Sequence, residues 1–92
     1  MITDFRCADT EALFKGKRVR RFANIADVAM RKLVQLHAAT TLDFLRLPPG
    51  NRLEALTRDR KGQHSIRIND QWRVCFIWSE SGVTRVEIVD YH

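Results

Sequence analysis

The side chains best suited to chemistry are Asp90, Tyr91 and His92, the last three residues of the sequence, together with Arg73 and Glu54 earlier in the chain. Carboxylates and imidazoles move protons, each transfer worth roughly 10²- to 10⁴-fold in rate. An arginine presents a planar fork of donors that fits a phosphate. A preorganised donor of that kind adds on the order of 3 kcal/mol where charge develops. Breaking an RNA phosphodiester needs a base for the ribose 2′-OH, a cation for the charge growing on phosphorus and an acid for the departing 5′ oxygen. These residue types meet all three needs, with no metal or cofactor called for. Tyr91 adds a ring that can stack on a base or orient a phosphate. The competing reading of the same three residues is an exposed, frayed chain end.

Arg73 lies inside the apolar stretch QWRVCFIW, where an unpaired guanidinium is costly to bury. Two partners are open to it. A carboxylate on a neighbouring strand, Asp90 or Glu87, makes the pair structural, whereas a groove lets the fork meet a phosphate. A second polar cluster runs from Arg58 to His64, just before another strand-like segment, and brings Arg58, Arg60, Lys61 and His64 to one charged turn.

The elements that must hold these groups follow from periodicity. Met1 to Cys7 alternates as a first strand, with Ile2 and Phe5 directed to the core. Thr10 to Phe14 is helical and ends at Gly16. Then come Lys15, Lys17, Arg18, Arg20 and Arg21, five cations within seven positions, either a solvated turn or a phosphate-gripping loop with Phe22 as a stacking neighbour. Asn24 offers an N-cap and Asp27 an acidic first turn to a helix on which Ile25, Val28, Ala29, Leu33 and Leu36 recur at helical spacing. Its outer face carries Arg31, Lys32 and Gln35, and His37 falls near its C-terminal end, complementing the helix dipole or simply exposed.

Thr40 to Leu47 has no clear period, and Pro48, Pro49 and Gly50 end whatever precedes them. Arg52 to Leu56 is a short extended piece anchored by Leu53 and Leu56. Ser65 to Ile68, Gln71 to Trp78 and Val83 to Val89 then read as three consecutive antiparallel strands, turning at Asn69–Asp70 and at Glu80 to Gly82. The middle one is apolar enough to be covered on both sides.

The bulk properties bound the rest. Ninety-two residues, 45% of them hydrophobic, make one domain spanning residues 1–92 and argue against disorder. Sixteen Lys and Arg against 11 Asp and Glu give a formal charge of +5, which favours a polyanionic partner. No apolar run reaches the about eighteen residues of a membrane span, and the N-terminus has no secretory signal, so the expected location is cytoplasmic. Cys7 and Cys75 are expected as buried, reduced thiols. His37, His64 and His92 lack the spacing of a metal site.

The segments GNRLEAL, DRKGQHSIRINDQWRVCF and VEIVDYH, in that order, resemble HigB-type toxins of the RelE superfamily, and most nearly its GraT-like members. The resemblance runs nearly end to end. It implies an α+β, RelE-like domain: an N-terminal strand, two helices on one side, and a mostly antiparallel C-terminal three-stranded meander completing the sheet. It implies a toxin of a type II toxin–antitoxin system, a metal-independent endoribonuclease that cuts mRNA in the ribosomal A site. The implied partners are the ribosome, mRNA and a HigA-like helix-turn-helix antitoxin, through which alone the chain would reach operator DNA. Arg73 matches the arginine assigned to the scissile phosphate, Asp90 and His92 the C-terminal catalytic pair, and Tyr91 the tyrosine between them. Arg60, Lys61 and Arg67 match RNA-gripping positions, beside Arg58 and His64.

Some relatives carry a histidine where this chain has Glu54, which leaves two assignments for the base. Either His92 takes the proton with Asp90 orienting it, or Glu54 takes it and His92 protonates the leaving group. The alternatives in other classes are a ParE-like gyrase poison, disfavoured by the Arg73, Asp90 and His92 set, and a catalytically weak relic that only binds antitoxin.

Overall fold

The computed structural model describes residues 1–90, and Tyr91 and His92 lie outside the described residues. Four strands, β1 (Glu54–Ala55), β2 (His64–Arg67), β3 (Trp72–Ser79) and β4 (Gly82–Asp90), join in the antiparallel order β1–β2–β3–β4. The meander therefore gains a short fourth strand, drawn from the Arg52 to Leu56 segment. Two helices, α1 (Ala8–Phe14) and α2 (Ala26–Ala38), complete the α+β fold.

The register sorts the sheet into two faces, because residues opposite each other point the same way. Ile66, Val74 and Ile88 form one cross-sheet row, fully buried, with Phe76 beside them. Onto this face α2 lays Ala29, Leu33 and Leu36, joined by Leu13, Phe22, Ile25 and Leu45. Burying each large aliphatic or Phe side chain here contributes roughly 1.5–3 kcal/mol relative to exposure. The other face carries the polar rows: Glu54, Ser65, Cys75 and Glu87 abreast, then Arg67, Arg73 and Val89.

The N-terminal segment does not form the continuous strand its alternation predicts. It runs parallel to β4 through two isolated bridges, Ile2 to Val83 and Phe5 to Val86. The reason is a bulge in β4, where Arg85 takes φ 53° and the ladder slips between Cys75 and Ile77. The Arg85 N–H donates to the Asp4 carboxylate and the Val86 N–H to the Asp4 carbonyl, at 3.1 and 3.2 Å. Bulges of this type re-aim a strand and blunt its edge. Gly82, at φ 147°, leaves room for the same segment, since a Cβ there would stand 2.7 Å from Thr3 Cγ2.

Three further expectations are corrected. Asn24 does not cap α2: the cap position is Ile25, with no side-chain hydrogen bond. Lys32 and Gln35 are half-buried rather than simply facing solvent, and they clamp the connection from Thr40 to Arg52. Lys32 Nζ donates to Asn51 Oδ1, Gln35 Nε2 donates to the Leu47 carbonyl, and the fully buried Asn51 amide donates to Gln35, Leu45 and Leu47 at 3.1–3.2 Å. His37 lies in the last turn of α2 as expected but is half-buried rather than exposed, its Nδ1 accepting the Ile2 N–H at 3.1 Å and its ring meeting Phe14. Among the described residues no helix is long and apolar enough to cross a membrane.

Candidate active site

Arg73 anchors the polar face of the sheet. Its position on interior strand β3 follows from the alternation Arg73, Cys75 against Val74, Phe76, which turns the first pair away from α2. Arg73 is 7% exposed yet well supplied with acceptors. Nε donates to Ser65 Oγ at 2.8 Å, and Nη2 donates to the Arg52 carbonyl at 2.7 Å and to the Ser65 carbonyl at 3.4 Å. Nη2 also lies 3.3 Å from Glu54 Oε1. Neither carboxylate expected from the neighbouring strand is the one that meets it in this pair. Glu87 shares the face but engages Arg60 at 3.1 Å, and Arg6 at 3.9 Å.

The Arg52 carbonyl reaches Arg73 because Arg52 adopts a left-handed conformation, φ 46° and ψ 57°, directly after the Pro48–Asn51 turn. A non-glycine residue held there costs on the order of 1–2 kcal/mol, offset by the hydrogen bonds of the buried Asn51 beside it. Strain of this kind clusters at functional sites. Glu54 is half exposed, so the carboxylate faces solvent while the arginine beneath it is locked.

Beside Glu54 opens a cleft of about 340 Å³ whose lining includes Glu54, Thr57, Arg58, Asp59 and Arg60. Arg58 again has positive φ, 56°, and is exposed, as is Lys61. Arg60 is tied down instead, Nη1 donating to Gln63 Oε1 and Glu87 Oε1, each at 3.1 Å. Arg67 stands directly opposite Arg73 and pairs with Asp70. His64 lies on the other face: it is opposite Phe76, stacks on that ring at 6.2 Å, and its buried Nδ1 has no hydrogen-bond partner among the described residues. The structure thus brings Arg73, Glu54, Arg60 and Arg67 to one face and leaves His64 behind the sheet.

Asp90 closes β4 opposite Trp72 and accepts from Gln71 Nε2 at 3.1 Å. By register it shares Trp72's side of the sheet rather than Arg73's, at the rim where the strand ends. Cys75 sits below the site between Ser65 and Glu87. Burial, the dominant cause, pushes its thiol up, with Glu87 adding to the rise and Arg60 and Arg73 opposing it. The thiol is therefore protonated and a poor nucleophile. Cys7 is only half-buried, contrary to expectation, and both cysteines are free. Sequence reading missed Ser65 and the Arg52 carbonyl, which bind Arg73 only once the ladder and the left-handed turn exist. The one signal available was Ser65 falling in phase with Arg67 on the polar side of the Ser65 to Ile68 alternation.

Residues 5–92 match the model of the HigB-like toxin family, RelE-like toxins of the HigB type II toxin–antitoxin system. The chain belongs to this family. Toxin HigB-1 of Vibrio cholerae serotype O1 is 36% identical over 94 residues, spanning 100% of this chain and 98% of its own length. An uncharacterized protein of Haemophilus influenzae is 33% identical over 64 residues, 70% of this chain and 63% of that one. The toxin fold also matches a chain of the YoeB-YefM complex from Staphylococcus aureus, with TM-score 0.62 and 15% identity over 100% of this chain and 98% of the other. At that identity the likeness speaks for the RelE-like fold alone.

Proposed function

We propose that this HigB-family toxin is a ribosome-dependent endoribonuclease that cuts mRNA by attack of a ribose 2′-OH on the adjacent phosphorus. The observation that carries the reading is the Arg73 guanidinium, immobilised by Ser65 and the Arg52 carbonyl with the Glu54 carboxylate 3.3 Å away. A cation fixed before substrate arrives needs no reorganisation as charge grows on phosphorus. An incoming phosphate competes with Glu54 for Arg73, which frees the carboxylate beside the attacking hydroxyl. Glu54 then takes the 2′-OH proton, the bond from the 2′ oxygen to phosphorus forms, and the bond to the 5′ oxygen breaks. The acid for that leaving oxygen is His92, with Tyr91 contacting the nucleotide and Asp90 holding the C-terminal end against Gln71. Arg58, Lys61 and Arg67 grip the backbone of the message, while Arg60, braced by Glu87, shapes the cleft.

The proposed setting is cytoplasmic, on the translating ribosome, with the toxin held in check by a HigA-like helix-turn-helix antitoxin that alone contacts operator DNA. The structural neighbour comes from a complex with YefM, which supports a proteinaceous partner of this kind.

The test maps cut ends on message bound to translating ribosomes. Wild type is expected to cut. Arg73→Lys, which keeps the charge but not the fork, is expected to lose roughly 10²-fold or more in single-turnover rate. Glu54→Gln is expected to lose roughly 10²- to 10⁴-fold. Intact message with the wild type rejects the proposal, and an unimpaired Glu54→Gln protein moves the base to His92.

A further inference from the structure

A second basic cleft lies between α2 and the part of β2 beyond its pairing with β1. Its volume is about 350 Å³, and Arg31, Lys32, Gln35, Gly50 and Arg67 are among its lining residues. Three cations from two elements thus face one space, and no carboxylate is among the lining residues. Two of the three are fixed in place. Lys32 Nζ is held by the fully buried Asn51, and Arg67 is braced by the solvent-exposed Asp70. Arg31 remains exposed.

We infer that this cleft binds a backbone phosphate of RNA, the one neighbouring the linkage held at Arg73. Arg67 is the joint between the two positions, since it is the cross-strand partner of Arg73, a spacing of roughly 4.5–5.5 Å between Cα atoms. An extended strand lying across the end of the sheet meets Arg73 first and this cleft next. Crowding like charges around a partly buried ammonium is unfavourable until an anion enters. Lys32 bears the mark of that: burial first, then Arg31 and Arg67, hold it below the usual lysine range. The placement beside the cleaved linkage rests on the function proposed above; the phosphate site itself does not.

Inorganic phosphate is the first probe. Added to the full chain, it is expected to raise the midpoint at which the Lys32 side-chain carbons titrate by NMR, and Arg31→Gln is expected to remove most of that response. No movement of Lys32 with phosphate overturns the site. The second probe is a short single-stranded RNA without ribosomes. Lys32→Gln, which can still donate to Asn51, and Arg31→Gln, at an exposed position that does not threaten the fold, are each expected to weaken it about tenfold and to lower the salt slope by about one. Unchanged affinity and slope in both variants overturn the inference. Loss of ribosome association with short-RNA binding intact would make the contact ribosomal and refute its place beside the cleaved linkage. A wild type that never cuts message but still answers phosphate at Lys32 would reject the proposed function and leave the cleft standing.

Discussion

Arg73 and Cys75 are two residues apart on the same strand face, and both are buried. The guanidinium is met by acceptors from Ser65, Arg52 and Glu54. At the thiol, burial outweighs the opposing charges of Arg60 and Arg73 and favours the neutral form. The consequence can be measured. A native thiol that ionises above its ordinary value of 9.0 holds a proton that the unfolded chain releases. Its contribution to stability is therefore complete below that value and declines as pH climbs through it. Urea midpoints at about pH 7 and about pH 10 are expected to differ more in wild type than in Cys75→Ala. Equal pH dependence in the two proteins would mean that the thiol is not withheld from solvent. Native Cys75 is also expected to resist thiol reagents at neutral pH until the protein unfolds.

At the scale of elements, the candidate active face depends on a segment that holds only two short 3-10 turns, Asp43–Arg46 and Pro49–Asn51. The connection from Thr40 to Arg52 is held to α2 by Asn51, and its last residue presents the carbonyl that orients Arg73. Asn51→Ala strips partners from Lys32, Gln35 and two backbone carbonyls. With buried polar groups left unsatisfied, it is expected to cost on the order of 2–3 kcal/mol in urea unfolding. Cleavage is expected to fall further than that loss explains, because Arg52 no longer holds its turn. A fully active Asn51→Ala protein would uncouple the segment from the site.

This is also where sequence and structure part. The hairpins over residues 64–90 were legible because alternation and turn chemistry are local, and the α2 stripe of Ala29, Leu33 and Leu36 was legible for the same reason. Asn51, Lys32 and His37 were misread or passed over because the bonds that tie them to other elements span 16 to 35 residues. His64 looked basic and exposed beside the charged turn. Its place behind the sheet follows from register alone, which a one-residue slip would have reversed.

For the molecule as a whole, the question is whether its excess of positive charge is organised or merely solvating. The loop from Lys15 to Arg21 gives the answer a physical form. Lys15 is paired with Glu11 at 3.2 Å, and Arg21 with Asp9 at 3.5 Å, with its guanidinium over the Phe22 ring. Lys17, Arg18 and Arg20 stand exposed. Phe22 packs edge-on against Trp72 at 5.7 Å, and Trp72 stands opposite Asp90. The loop is thereby moored at the end of the sheet where β4 runs out and Arg67 and Arg73 lie one strand pair away. Charge concentrated at that end steers a polyanion to it, and each phosphate contact adds to the salt dependence. Replacing Lys17, Arg18 and Arg20 together by Gln is expected to lower the slope of ribosome association against salt by about two, with the cut position unchanged. Replacing the paired Lys15 and Arg21 is expected to change it by less, because their charge is already partly neutralised within the fold. If the triple variant keeps the wild-type slope, the loop is a solvated turn, and the charge that matters is confined to the sheet face and the α2 cleft.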